Sequence, residues 1–185
     1  MNPTWVMELP RGDERGTFFT MDMGGTNFRV CKVTLDGTAG KYDVVQMDSK
    51  IPKSLKSGTA EQLWHYIADC LQQFVDRYSI SQKELTETPL AFTFSYPVTQ
   101  TSISHGILQR WTKGFDISGV EGTDVVAELQ KVLKEKVSSC ASEALPGQSM
   151  ILTRTGSSRS DRRLGQRHSR YPDGIFLRRP QDRNR

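Results

Sequence analysis

Six residues that could do chemistry together fall within eight positions, from Asp22 to Arg29. Gly24 and Gly25 lack side chains, so their peptide N–H groups can come close to a ligand, and both can take φ > 0. Thr26 and Asn27 add hydrogen-bonding groups, Arg29 adds a fixed positive charge, and the Asp22 carboxylate could hold a hydrated Mg²⁺ ion. The set describes a cradle for a nucleotide's phosphates. It also fits a plain Gly-Gly hairpin trimmed with polar residues, because short motifs of this kind often occur by chance.

A second group lies farther along. Ser95 ends an apolar run, Leu90-Ala91-Phe92-Thr93-Phe94, and Thr112-Lys113 precedes Gly114. Hydroxyl and ammonium groups at a strand edge, with Trp111 or Phe115 nearby, are what a sugar site needs to bind several hydroxyls directionally. Taken singly, Ser95 capping a turn before Pro97 and a solvated Lys113 account for the same residues.

The intervening pattern supplies elements to carry these groups. Phe18-Phe19-Thr20-Met21 and Phe28 through Leu35 read as two strands joined at the glycines, and Tyr42 to Met47 as a third, ended by Ile51-Pro52-Lys53. Thr59-Ala60-Glu61-Gln62 is a capping-box start. Leu63, Ile67, Leu71, Phe74 and Tyr78 then recur at helical spacing, predicting a helix to about Tyr78. On it, His65 and Cys70 have no chemical partner and read as a surface histidine and a packing cysteine. Leu90 to Phe94 is a strand halted by proline, and a last helix is predicted from about Thr123 to Lys136. Strands first, then strand alternating with helix, imply an α/β lobe with a mixed sheet.

Composition excludes several classes. The chain has 185 residues, 36% hydrophobic and 25% charged, which is enough for one domain with a core or one lobe of something larger. No apolar run approaches the ~20 residues of a spanning helix, and Met1 to Trp5 lacks the features of a signal peptide. The expected compartment is the cytoplasm, with no membrane partner. Three cysteines and three histidines are too scattered for a disulfide framework or a metal cluster. The net charge of +4 is concentrated at one end, because residues 151–185 carry ten arginines against three aspartates. The preceding part is mildly acidic, and the tail offers only Tyr171 and Phe176 for base stacking, so nucleic acid is ranked last among partners.

Taken together, these segments closely resemble the eukaryotic hexokinase and glucokinase family, especially its fungal members. Met21 to Arg29 is similar to that family's first phosphate motif. Ala91 to Pro97, continuing through Gln100 and Gly106-Ile107-Leu108 to Trp111-Thr112-Lys113-Gly114-Phe115, is similar to its sugar-binding signature. Pro3 to Met7 and Glu61 to Asp69 resemble the family too, and the likeness runs from about Pro3 to Lys136. A related ATPase of the actin or heat-shock type would share the hairpin but not the Trp-Thr-Lys-Gly-Phe run.

The resemblance implies a lobe of the actin-like (ribonuclease H-like) ATPase fold, which moves the γ-phosphoryl of MgATP to the 6-hydroxyl of a hexose, glucose first. It implies that Ser95, Thr112 and Lys113 hold the sugar. Asp22, Gly24, Gly25, Thr26, Asn27 and Arg29 face the phosphates, with Asp22 reaching the metal through water.

The chain then departs from the family. The family's helix leads to an apolar strand ending in Asn-Asp-Thr, whose aspartate is the base. Here Val137 to Pro146 stands in its place, no Asn-Asp pair occurs, and neither Glu143 nor Asp161 has a matching context. The catalytic base is therefore unassigned. The expected organisation is a lobe over residues 1–136 and an Arg/Ser-rich tail over 137–185, either disordered or frame-altered. Ser149-Met150-Ile151, if encoded UCA-AUG-AUN, contains AAU-GAU one base earlier, which would read Asn-Asp. A non-catalytic hexose-binding or regulatory module is the alternative reading.

Overall fold

The computed structural model describes residues 11–140 and 150–153. Strand β1 (Arg15–Met23) turns through the glycines into β2 (Asn27–Asp36), which pairs antiparallel with β3 (Tyr42–Lys50). After a single 3₁₀ turn at Lys53–Ser57 come α1 (Ala60–Arg77) and the short α2 (Gln82–Glu87). Strand β4 (Leu90–Phe94) then enters the sheet parallel to β1. A separate hairpin, β5 (Val98–Ser102) and β6 (His105–Leu108), precedes α3 (Val125–Cys140), and β7 (Met150–Thr153) lies parallel beside β4. The five-stranded sheet has the order β3-β2-β1-β4-β7, mixed as expected.

Alternation of side chains sorts the sheet into two faces. Phe19, Met21 and Met23 of β1, Phe28 and Val30 of β2, and Leu90, Phe92 and Phe94 of β4 are all buried in one apolar core. Helix α1 meets it with Leu63, Trp64, Ile67, Leu71 and Phe74, and α3 with Val125, Val126, Leu129 and Leu133. Burying each such side chain contributes ~1.5–3 kcal/mol, so this face fixes the register. A one-residue slip would turn the whole set outward. The opposite alternation places Thr20 and Asp22 of β1, Arg29 and Cys31 of β2, and Thr93 of β4 on the other face. Cross-strand pairing sets Asp22 beside both Arg29 and Thr93.

The start of α1 matches the sequence expectation in detail. The Thr59 hydroxyl accepts from the Gln62 N–H, and the Gln62 side chain accepts from the Thr59 N–H at 3.0 Å. Three features differ. Helix α3 continues to Cys140 rather than ending near Lys136. Helix α2 and the β5–β6 hairpin were not foreseen. A strand following α3 was expected to be lost, whereas Met150–Thr153 supplies β4 with a parallel neighbour. A short run of three apolar residues suffices there because β4 offers it an open edge of backbone donors and acceptors. The N-terminal run Pro3 to Met7, Glu143, Asp161 and the arginine-rich tail lie outside the described residues. Among the described residues, no helix is long and apolar enough to cross a membrane.

Candidate functional site

Strands β1 and β4 run parallel, so Asp22 and Ser95 arrive at the same carboxyl end of the sheet, where ligand crevices open in α/β folds. The Ser95 N–H donates to the Met23 carbonyl at 3.2 Å, one residue past the last paired positions Met23 and Phe94. The two groups of residues read from the sequence therefore share one edge.

The glycine turn is built differently from the expectation. Neither Gly24 nor Gly25 has positive φ. Their lack of side chains serves close approach instead. A Cβ on Gly25 would sit 3.1 Å from Lys113 Cδ and 3.2 Å from Lys113 Cβ, so the lysine stem lies across the bare glycine. The turn closes with the Gly24 N–H donating to the Asn27 carbonyl at 3.1 Å.

Three successive carbonyls of this turn are held by the protein. The Gly24 carbonyl accepts from the Tyr96 hydroxyl at 2.8 Å, and the Gly25 carbonyl from Lys56 Nζ at 2.7 Å. The Thr26 carbonyl accepts from the Ile51 N–H at 2.9 Å. In a trans peptide, the N–H points opposite to the carbonyl of the preceding residue, and no cis peptide is present among the described residues. The N–H groups of Gly25, Thr26 and Asn27 are thereby turned away from these partners. Thr26 and Asn27 are exposed at the tip. Successive backbone amides can bind an anion where they converge on it.

The loop bearing Thr112 and Lys113 is a tight turn. The Phe115 N–H donates to the Thr112 carbonyl at 3.1 Å, and the central residues Lys113 and Gly114 have φ of 58° and 76°. Positive φ at both central positions is the pattern of a type I′ turn. A lysine there is strained by of order 1–3 kcal/mol, which surrounding structure must offset.

That support is aromatic. Trp111 and Phe115 stack at 5.5 Å between centroids, and Tyr96 meets both edge-on at 4.8 and 5.3 Å. Trp111 also donates its indole N–H to the Ile117 carbonyl at 2.9 Å. Trp111 and Phe115, read from the sequence as aromatics beside a sugar, are buried and form the floor under the loop. Lys113 itself is exposed, its ammonium 5.1 Å above the Tyr96 ring.

Electrostatics tie the parts together. Partial burial lowers the Lys113 pKa, and the neighbouring Asp22 carboxylate opposes that shift. Burial, with a smaller contribution from Asp22, raises the Tyr96 phenol so that it stays protonated and can donate to Gly24. Arg29 stands apart: its Nε donates to Asp48 at 2.9 Å, and that bond, against some loss from desolvation, raises its pKa. Its charge is therefore partly satisfied by β3, and about four-tenths of its side chain is exposed.

Asp22, Gly24, Gly25, Ser95 and Lys113 are thus brought together. Thr26 and Asn27 form the exposed tip, Thr112 opens the second turn, and Arg29, opposite Asp22 on β2, is paired with Asp48. Sequence reasoning missed Tyr96 and Lys56 as supports of the turn. Tyr96 stood in plain view after the strand, whereas nothing around Lys56 distinguishes it from a solvated lysine.

Comparison with known proteins gives these contacts a context. A sequence profile of the hexokinase family matches residues 1–146. Hexokinase from Emericella nidulans is 55% identical over 136 residues, covering 74% of this chain and 28% of its own length. Hexokinase-1 of Saccharomyces cerevisiae is 46% identical over 138 residues, again 74% of this chain and 28% of its own. Among solved structures, hexokinase from Schistosoma mansoni complexed with glucose superposes with a TM-score of 0.69 at 35% identity. It covers 83% of this chain and 32% of that one. The chain therefore spans under a third of the length of the relatives it matches. Strands β1 to β6, the three helices and both turns fall within the matched stretch, and the chain belongs to the hexokinase family.

Proposed function

We propose that this chain supplies the phosphate- and sugar-holding part of an ATP-dependent hexose 6-phosphotransferase acting in the cytoplasm. One observation carries the reading: the Lys113 stem lies across Gly25, joining a turn suited to phosphate with one suited to hydroxyls. In this reading Ser95, Thr112 and Lys113 hold the hexose. The amides of Gly25, Thr26 and Asn27 hold phosphate oxygens, with Arg29 adding positive charge at the margin. Glucose is the hexose to try first, because a relative is described in complex with it.

The residues present fit hydrated magnesium. Asp22 offers a single carboxylate at the end of β1, near Lys113, and one carboxylate is enough to hold a divalent cation that keeps most of its waters, as Mg²⁺ commonly does. When bound with ATP, it would neutralise charge on the phosphates. The chain's own groups orient the hydroxyl and phosphoryl and keep them close, which is most of what phosphoryl transfer asks of a protein. Lobe closure would exclude water as a competing acceptor.

A second reading is a hexose-binding module without turnover. It is favoured by the missing Asn-Asp pair, which leaves the base unassigned. Saturation-transfer NMR of the purified chain with glucose tests what the readings share: signal is expected from glucose and its loss from Lys113→Ala. Equal signal from both proteins rejects the sugar assignment. Glucose-dependent ADP release then separates kinase from binder.

A further inference from the structure

Lys56 reaches both turns at once. Its Nζ donates to the Gly25 carbonyl at 2.7 Å and sits 4.9 Å over the Phe115 ring. Its own carbonyl accepts from the Asp116 N–H at 2.7 Å. The following residues continue the join: the Ser118 N–H donates to the Gly58 carbonyl at 3.1 Å, and the Ala60 N–H to the Ser118 carbonyl at 2.9 Å. The backbone at Lys56 is thus stitched to the end of the Thr112–Phe115 loop, while its side chain holds the glycine turn.

We propose that Lys56 is a positioning residue that couples the glycine turn to the Thr112–Phe115 loop, so that occupation of one by phosphate alters the other's hold on hexose. This rests on the functional reading above. The chemistry favours coupling over simple support. A lysine ammonium has three donors and is attracted to the face of an aromatic ring, so one cation can hold the Gly25 carbonyl and Phe115 together. Displacement of the carbonyl by an anion on the far side of that peptide pulls on Nζ, and Nζ bears on Phe115. Lys113 packed on Gly25 gives a second contact between the turns, but it touches the glycine through flexible methylenes and makes no directional bond there.

The test uses the 185-residue chain labelled with ¹⁵N, with magnesium tripolyphosphate as the anion and glucose as the sugar. In the unaltered chain, tripolyphosphate is expected to shift the Gly25 and Thr26 amides directly and the Gly114 and Phe115 amides indirectly. Apparent glucose affinity should change severalfold, and linkage requires glucose to change tripolyphosphate affinity by the same factor.

Lys56→Met should keep the Gly25 and Thr26 shifts, lose most of those at Gly114 and Phe115, and bring the coupling factor close to one. Lys56→Arg, which keeps a cation of similar reach, should restore coupling. Lys56→Gln, polar but too short for the carbonyl, repeats the comparison if Lys56→Met does not fold. Undiminished coupling in Lys56→Met or Lys56→Gln overturns the proposal. Absence of any shift at Gly25 and Thr26 in the unaltered chain instead overturns the phosphate reading on which it rests.

Discussion

Tyr96 does two jobs with one side chain: its ring packs under the Lys113 turn and its hydroxyl holds the Gly24 carbonyl. Tyr96→Phe keeps the first and removes the second. Leaving a partly buried carbonyl without its donor should destabilise the fold by about 1–3 kcal/mol, read as a lower midpoint in chemical denaturation. The pH dependence supplies a sharper signature. Burial and Asp22 push the folded phenol above its ordinary value of 10.0. Between that value and the folded one, the native chain keeps a proton that the unfolded chain has lost, so the Tyr96 contribution is full below pH 10 and declines above it. Stability of the unaltered chain should therefore fall more steeply above pH 10 than that of Tyr96→Phe, and parallel curves would refute the shift. Gly25 offers another test at this scale. Gly25→Val would drive its side chain into Lys113, so it should weaken tripolyphosphate and glucose binding together, measured by titration. A loss confined to one ligand would contradict the contact. The sequence made Asp22, Ser95 and Lys113 legible because residue type and strand ends announce them. The positive φ allowed for Gly25 is not adopted, and its neighbour across the turn, Lys113, could not be read in advance because it lies 88 positions away.

Among the elements, those with strong periodicity and local chemistry were legible and those stabilised by distant pairing were not. Helix α1 carried its own start signal, and both reciprocal bonds of the capping box form. Thr59→Ala should cost about 1 kcal/mol. Gly58→Ala attacks the same cap from the other side, because its Cβ would collide with the Gln62 side-chain oxygen and must displace it. The two losses overlap, so the double variant should be destabilised by clearly less than the sum of the singles. Full additivity in denaturation midpoints would mean that the cap is not shared. The short α2 had a similar signal that went unread: Ser81 precedes Glu84 by three, and its hydroxyl accepts from the Glu84 N–H at 3.1 Å. Strand β7 had none. Four residues make a strand there through their partner β4 and not through any pattern of their own, which is why the end of the sheet could not be read in advance.

At the scale of the whole molecule, the described lobe holds both turns but presents them from one side. A phosphoryl transfer needs the hydroxyl and the γ-phosphate aligned within a water-excluded site. The chain spans under a third of its relatives' length, and no carboxylate in its 185 residues stands in a context like the family's base. General base catalysis is commonly worth ~10²–10⁴-fold, and alignment within a water-excluded site is worth more again. We therefore predict that the 185-residue chain alone releases no ADP in response to glucose above background, even where NMR detects glucose on it. The measurement is a coupled assay with glucose and MgATP, run beside a protein in which the message is read through the Asn-Asp frame at Ser149-Met150-Ile151 and onward. Transcript sequencing decides whether that frame exists. If the chain by itself turns over at a rate near that of the longer protein, a base within these residues has gone unrecognised, and Asp22, the acidic group already placed beside both turns, is the first to substitute with asparagine.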